Sequence, residues 1–170
     1  MQLYYREAGS GEPLILLHGN GEDGSHFADV MKHFASRYRV IAVDTRGHGK
    51  SPRGEAPFTI RQFAEDLREF MDQQKIEKAN LLGFSDGGNI ALIFALQYPE
   101  RVLRLILNGA NLNAEGVKPS VQIPIEIGYR MARICSKISQ RAKKNAEIVG
   151  LMVHDPNIDP DQLRSLCMPV

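Results

Sequence analysis

A serine flanked by glycines lies where a short apolar run meets a helix-like run. Residues 81–99 read LLGFSDGGNIALIFALQYP, in which Ser85 has Gly83 two positions before it and Gly87 two positions after it. A nucleophilic serine needs a tight, strained turn between a strand and a helix, and these two positions must then lack bulk. The pattern predicts Ser85 as a nucleophile, with Gly88 letting the helix pack closely. The competing interpretation is a glycine-rich turn with an incidental serine.

A second loop has the residues to stabilise negative charge during attack on a carbonyl group. His18, Gly19 and Asn20 directly follow the apolar run 14–17. Acyl transfer needs two amide N–H groups directed at the oxyanion, one from the residue after the nucleophile and one from a loop after an earlier strand. We therefore expect Asp86 and Asn20 to supply these groups, and His18 and Gly19 to shape the loop.

The elements that must position these residues follow from the hydrophobic pattern. Short, continuous apolar runs predict buried strands at 3–6, 14–17, 40–43, 79–83 and 102–107. Amphipathic segments between them predict helices at 25–37, 59–75 and 86–98. Thr59 and Gln62 fit a capping box at the start of the second helix. The alternation predicts an α/β fold with a doubly wound, mostly parallel sheet.

The pattern changes after the fifth predicted strand. Residues 1–111 are expected to form the core, and residues 112–167 a helical cap that begins with a loop over 111–120. Residues 123–150 are helical in pattern and basic, which favours a solvated helix face over a binding patch. Residues 168–170 are typical of the beginning of another buried strand, so the sheet is expected to be C-terminally incomplete.

Composition excludes several classes of protein. A chain of 170 residues with a formal net charge of +1 predicts one domain without a footprint for nucleic acid or an anionic membrane. The apolar runs are too short to span a bilayer, and the N-terminus lacks the pattern of a secretion signal. Cys135 and Cys167 form no metal-ligand pattern. We expect reduced thiols, a cytoplasmic location, and neither a metal nor a cofactor.

Two segments of the sequence are similar to phosphate-binding motifs. Residues 19–24 match G-x-G-x-x-G, and Asp44 lies about where a dinucleotide fold places its ribose-binding acid. A dinucleotide-binding oxidoreductase is therefore an alternative, although it leaves the segment 83–88 unexplained. Residues 46–51 end like a P-loop, but that loop needs a glycine where this chain has Asp44, so it fails.

Four segments together resemble the α/β-hydrolase superfamily: LHGNG at 17–21, VDTRGHGKS at 43–51, LGFSDGG at 82–88 and YPERVLRLIL at 98–107. The serine turn is most similar to that of the valacyclovir-hydrolase-like esterases. The resemblance implies hydrolysis of a small-molecule carboxylic ester through an acyl-enzyme on Ser85. It also implies a chain order of serine, then acid, then histidine.

The acid and the histidine of such a triad are not found at the matching positions. The alternatives inside the chain are weak: His18 and His48 lie in structural loops, His26 and His33 have no carboxylate predicted to orient them, and His154 falls in the cap. Asn108 and Asn111 stand where some relatives place the acid. We therefore expect an N-terminal portion of a hydrolase, inactive or impaired by itself. A non-catalytic binding or scaffold module on this fold is the second alternative.

Two further expectations concern binding. The carboxylate of Asp86 either reaches the acyl pocket, where it would favour cationic esters such as amino-acid esters, or only hydrogen-bonds the turn. An incomplete sheet would leave residues 102–107 as an unpaired apolar edge, which predicts self-association.

Overall fold

The computed structural model describes residues 1–111 and 119–135, together with positions 143, 144, 146–148 and 150. The strands are β1 (Tyr5–Ala8), β2 (Glu12–Leu17), β3 (Tyr38–Val43), β4 (Ala79–Phe84) and β5 (Val102–Asn108). The α-helices are α1 (Ala28–Phe34), α2 (Ile60–Gln73), α3 (Asp86–Gln97) and α4 (Pro119–Cys135). Short 3₁₀ helices at Gly24–Phe27 and Pro99–Arg101 lead into α1 and β5.

The five strands form one sheet in the order β1-β3-β2-β4-β5. β1 is antiparallel to β3, and the other neighbouring pairs are parallel. β2 lies between β3 and β4, so the order of connection reverses there and opens a crevice at the carboxyl ends of the strands. The loop after β2 and the turn after β4 both face that crevice. The predicted α/β fold with a mostly parallel sheet is confirmed.

Alternating residues of the central strands pack on opposite faces of the sheet. Ile15 and Ile41 belong to a core cluster with the buried face of α2 and with α3. Leu16 and Ala42 point the other way, into a second cluster with Met31 of α1. Helices therefore cover both faces, which is the doubly wound arrangement.

The predicted element types are correct, while several boundaries moved. β1 begins two residues later than predicted. Leu3 is buried, as the prediction required, but pairing with β3 starts only at Tyr5. The first predicted helix divides into a 3₁₀ segment and α1. Thr59 caps α2 as expected, since its hydroxyl accepts a hydrogen bond from the Gln62 amide at 3.1 Å. Gln62 directs its own side chain to Asp66, at 3.2 Å.

The chain beyond β5 departs most from expectation. α4 begins at Pro119, within the predicted loop, and contains Pro124. β5 is not buried on both faces, because Leu103, Ile106 and Leu107 are exposed. None of the helices in the described part of the chain has the length and hydrophobicity of a transmembrane span. His154, Cys167 and residues 168–170 lie outside the described residues, and the cap over 112–167 stays a prediction.

Candidate active site

Ser85 occupies a strained turn between β4 and α3. Its φ of 53° and ψ of −120° lie outside the backbone conformations that residues other than glycine favour. Hydrogen bonds hold both polar backbone groups of Ser85. The Ser85 amide donates to the Asn108 carbonyl at 2.8 Å, and the Ser85 carbonyl accepts from the Gly88 and Asn89 amides. The strained serine is therefore an element of the folded structure and remains half-buried at the end of β4.

The three glycines around Ser85 lie too close to neighbouring segments for a larger residue. A Cβ atom on Gly83 would lie 2.3 Å from the Gly87 carbonyl oxygen, and one on Gly87 would lie 2.0 Å from the Leu17 carbonyl oxygen. Real Cβ atoms do not approach other atoms so closely. At Gly88 the nearest atom would be the Cβ of Ala110, at 2.8 Å. The Gly83 carbonyl oxygen of β4 would lie 3.2 Å from the same Cβ, so Gly88 lets α3 approach both the strand before the serine, as the sequence suggested, and the segment after β5.

The loop after β2 is built around the Gly19 carbonyl. This oxygen lies 2.8 Å from His18 Nδ1 and accepts a hydrogen bond from the Glu22 amide at 3.3 Å. His18 Nε2 accepts from the Thr45 amide at 3.0 Å, so Nδ1 carries the proton and donates to Gly19. In a trans peptide the C=O and N–H groups point in opposite directions. The Asn20 N–H is therefore directed away from these donors.

Residues 18–22, which we call the oxyanion loop after the role predicted for them from the sequence, directly contact the serine turn. Asn20 Nδ2 donates to Asp86 Oδ2 at 2.7 Å and to the Ile148 carbonyl at 2.7 Å. A Cβ atom on Gly19 would lie 3.2 Å from the Ser85 Cβ. The structure thus brings together the predicted nucleophile and both residues predicted to donate to an oxyanion, with a later helical segment held beside them.

Asp86 is the first residue of α3, where helix amides have no acceptor within the helix. Its side chain is almost fully buried, with 7% exposed. The contact with Asn20 supports a role in holding the turn, one of the two roles expected from the sequence. A buried carboxylate next to the nucleophile also remains compatible with attraction of a cationic substrate.

His18 and His48 are both buried in the interior. Burial lowers the pKa of His18, and burial together with the neighbouring His18 lowers the pKa of His48 to about 4. His48 stacks on Phe58 and directs Nδ1 at the Arg46 carbonyl, at 3.1 Å. Its Nε2 atom is buried without a hydrogen-bond partner in the described part of the chain. These contacts fit the structural roles expected for both residues.

The expectation for His26 was wrong. His26 Nδ1 lies 3.3 Å from Glu22 Oε1, so a carboxylate does orient this histidine. The ring stacks on Phe84, the residue before Ser85, with centroids 5.2 Å apart. Glu22 was missed altogether, because it precedes the predicted helix, so its spacing of four residues from His26 was not a helical signal. His33 is exposed and contacts Phe34.

Asp44 has a structural task that accounts for its position. Its carboxylate accepts from the Arg6 guanidinium and the Gly24 amide through Oδ1, both at 2.8 Å, and from the Lys50 amide through Oδ2 at 2.9 Å. The side chain is fully buried. A carboxylate so occupied does not present itself to a ribose, which argues against the dinucleotide-binding alternative.

Other chemistry is not apparent in the described ranges. Of the four histidines found there, none has a hydrogen bond to Ser85. Three or more His, Cys, Asp or Glu side chains are nowhere grouped, in those same ranges, as ligands of a metal ion would be. The residues that come together are those suited to a nucleophile and to an oxyanion.

A strained serine between a parallel strand and a helix, facing the loop of the neighbouring strand, defines the hydrolase class of α/β proteins. The chain belongs to the alpha/beta hydrolase fold family, whose model matches residues 12–125. It is 39% identical over 132 residues to a 2-hydroxy-6-oxononadienedioate/2-hydroxy-6-oxononatrienedioate hydrolase of Paraburkholderia phymatum, covering 74% of this chain and 45% of that protein. An uncharacterised protein of Mycobacterium bovis is 37% identical over 119 residues, covering 70% and 34% of the two chains.

The structure is also similar to that of a marine microorganism esterase, with a TM-score of 0.69 and 29% identity. That match covers 97% of this chain and 62% of the esterase. The chain therefore spans between about a third and a half of the two curated relatives, by the shares of 34% and 45%.

Proposed function

We propose that the chain carries the nucleophile and oxyanion hole of a serine hydrolase that cleaves small-molecule carboxylic esters. The observation that supports this most directly is the strained turn at Ser85 in contact with the oxyanion loop. The similarity to an esterase structure favours an ester, and the similarity to a 2-hydroxy-6-oxononadienedioate hydrolase adds unsaturated oxo acids as a second substrate class to assay.

In this proposal the Ser85 hydroxyl oxygen attacks the ester carbonyl carbon, and its proton passes to a base. The carbonyl oxygen becomes an oxyanion that accepts hydrogen bonds from the Asn20 and Asp86 amides. The positive end of α3 adds to that stabilisation. The ester C–O bond then breaks, and the leaving alcohol takes the proton. Water hydrolyses the acyl-enzyme by the same steps and regenerates Ser85.

The base is proposed to come from a residue outside those described, because none of the described histidines hydrogen-bonds Ser85. Loss of one triad member can cost about a millionfold in kcat. An oxyanion hole and substrate binding together retain roughly a thousandfold acceleration over water. We propose that this base lies beyond residue 170, in which case the chain by itself is strongly impaired as a catalyst.

An exogenous base provides the test. The 170-residue chain is treated with a fluorophosphonate with and without imidazole, and intact mass is recorded over time. We expect slow labelling at Ser85 that imidazole accelerates, no labelling of Ser85→Ala, and unchanged labelling of Ser36→Ala, which removes an exposed serine elsewhere. Fast labelling without imidazole would mean that the chain supplies its own base. Absence of an adduct under both conditions would overturn the proposal.

The same assay examines the substrate class. We propose that the buried Asp86 carboxylate favours esters that carry an ammonium group near the carbonyl carbon. Asp86→Asn should lower the imidazole-assisted hydrolysis of an α-amino p-nitrophenyl ester by about tenfold, while its N-acetylated counterpart is little affected. Equal losses on the two esters would restrict Asp86 to holding Asn20.

A non-catalytic binding module is the second candidate, and the lack of a described histidine at Ser85 favours it. Such a module would retain the fold but would give no phosphonate adduct with imidazole present. An adduct that maps to Ser85 would exclude it.

A further inference from the structure

Glu22 folds back on its own loop and closes a small ring. Its side-chain Oε2 accepts a hydrogen bond from the Gly19 amide at 3.0 Å, and its own amide donates to the Gly19 carbonyl at 3.3 Å. Glu22 therefore contacts both polar groups of a single residue. A loop of this length has no regular ladder to satisfy its backbone, so such local contacts determine its shape.

The hydrogen-bonded ring formed by Gly19 and Glu22 fixes the orientation of the neighbouring peptide group. The Gly19 carbonyl belongs to the same peptide plane as the Asn20 amide, and the two groups point in opposite directions. Glu22 and His18 hold the carbonyl side of that plane. The Asn20 amide is thereby held in one orientation before any substrate arrives, which is what preorganised stabilisation of an oxyanion requires.

His26 connects Glu22 to the serine turn. Its Nδ1 lies 3.3 Å from Glu22 Oε1, the carboxylate oxygen that Gly19 does not use. Its ring lies nearly parallel to that of Phe84, at an interplanar angle of 12°. A carboxylate in the oxyanion loop is thus fixed through an imidazole to the residue that precedes Ser85.

The packing around Gly19 places Glu22 close to the nucleophile. A Cβ atom at Gly19 would lie 3.1 Å from Glu22 Oε2 and 3.2 Å from both the Phe84 ring and the Ser85 Cβ. Gly19 is therefore in contact with both the Glu22 carboxylate and Ser85, and a shift of Glu22 would displace Gly19.

We propose that Glu22 is a positioning residue for the oxyanion hole, held in place by His26, and this proposal rests on the proposed hydrolase function. Glu22 itself touches no reacting atom. It aims the Asn20 amide by fixing Gly19, and it couples the loop to the serine turn through His26. If Glu22 and His26 formed only an ordinary surface ion pair, their loss would change neither the Asn20 amide nor the serine turn, since exposed pairs contribute little.

The first experiment measures the loop without reference to catalysis. Amide hydrogen exchange of Gly19 is followed by NMR in the 170-residue chain. In Glu22→Ala the Gly19 amide loses its acceptor, so we expect its exchange to accelerate by about tenfold, while Glu22→Gln stays close to wild type. Glu7→Ala is the matched control, because Glu7 is an exposed glutamate paired with Arg39 at 2.8 Å. His26→Phe retains a ring against Phe84 and should give an intermediate acceleration.

The second experiment measures Ser85 phosphonylation with saturating imidazole. Glu22→Ala should lower the maximal labelling rate by about tenfold, less than the roughly 10²–10³-fold cost of removing an oxyanion donor because the Asn20 amide is only displaced, without changing the half-saturating reagent concentration. Glu22→Gln should restore most of the rate. Thermal unfolding of each variant separates these effects from a general loss of stability.

The outcomes distinguish this proposal from the function on which it rests. If wild-type Ser85 is never labelled, the hydrolase proposal fails, and Gly19 exchange still decides whether Glu22 holds the loop. Unchanged Gly19 exchange in Glu22→Ala would overturn the positioning role. A lowered melting temperature with unchanged exchange and labelling would equally overturn it, because Glu22 would then be only structural.

Discussion

At the scale of single residues, burial separates the histidines into two kinds. His18 and His48 lie in the interior with 1% and 4% of their surface exposed, whereas His26 and His33 face solvent. The buried pair packs edge to face, with ring centroids 5.2 Å apart, and Thr45 lies between their nitrogen atoms. Protonation of either ring would place charge in a buried site, so both have lowered pKa values.

The lowered pKa of His48 predicts acid sensitivity of the fold. Between pH 6.5, its ordinary pKa, and its folded pKa of about 4, the unfolded chain binds a proton that the folded chain excludes. The free energy of unfolding must therefore fall as pH is lowered through that window, by up to about 3 kcal/mol for this residue. His18 adds a loss in the same direction.

Urea unfolding at pH values from 7 to about 4 measures this dependence. His48→Gln should have a shallower decline than wild type, whatever its stability at neutral pH. His33→Gln, which changes an exposed histidine, should leave the decline unaltered. A decline of equal steepness in His48→Gln and wild type would contradict the assignment.

At the scale of elements, the unit that matters is β4, the serine turn and α3. α3 is buried around most of its circumference, from Asp86 to Ala95, so it serves as a core helix and cannot shift to relieve contacts. Its first turn lies against the end of β2, where Gly87 meets the carbonyls of Leu17 and His18. The position of Ser85 is thus determined by backbone atoms of three strands, β2, β4 and β5, and of α3.

Substitution of Gly87 should be costly for that reason. The new Cβ would lie 2.0 Å from the Leu17 carbonyl oxygen, which is backbone in the sheet centre and cannot move cheaply. We expect Gly87→Ala to lower the free energy of unfolding by about 3 kcal/mol and to abolish phosphonate labelling of Ser85.

Gly128 offers the matched control on another helix. It lies within α4 and is exposed, and a Cβ there would meet no atom of the described residues within 4 Å. Gly128→Ala should raise helix stability by about 1 kcal/mol, because alanine is the better helix former. Urea titration compares the two variants. A small effect of Gly87→Ala would mean that β2 and α3 lie further apart than the structure shows.

At the scale of the whole molecule, the two edges of the described sheet differ. β1 is four residues long and carries Arg6 and Glu7, which is how proteins protect a sheet edge. β5 is seven residues long, and Leu103, Ile106 and Leu107 are 42%, 50% and 41% exposed. Because side chains alternate along a strand, these residues make both faces of the edge apolar.

We expect the 170-residue chain to self-associate through β5, by pairing of this edge with a second copy. Ile106→Lys places a charge on the edge and should shift the chain toward monomer in sedimentation equilibrium. Ile127→Lys is the control, since Ile127 is similarly exposed, at 53%, but lies on α4. A wild-type chain that is monomeric at every concentration would refute the expectation, and equal effects of both variants would move the contact away from β5.

The sequence by itself was sufficient to predict the types of the elements up to β5, the mostly parallel sheet, and the meeting of Ser85 with Asn20 and Asp86, but not the place of Glu22 beside them. Each depends on short-range information. Apolar runs of strand length identify buried strands, and Gly83 and Gly87 identify a turn that only small residues permit. The helix after Ser85 ends before Pro99 for the same local reason, since proline cannot continue it.

Only the tertiary structure decided how the polar side chains are paired. Asn20 and Asp86 are 66 residues apart and Arg6 and Asp44 are 38 apart, so no local pattern signals either contact. Phe84 and His26 likewise meet only because β4 pairs beside β2 and brings the serine turn against the oxyanion loop. Local propensities determine which elements form, but a side chain's partner depends on where the sheet places distant segments.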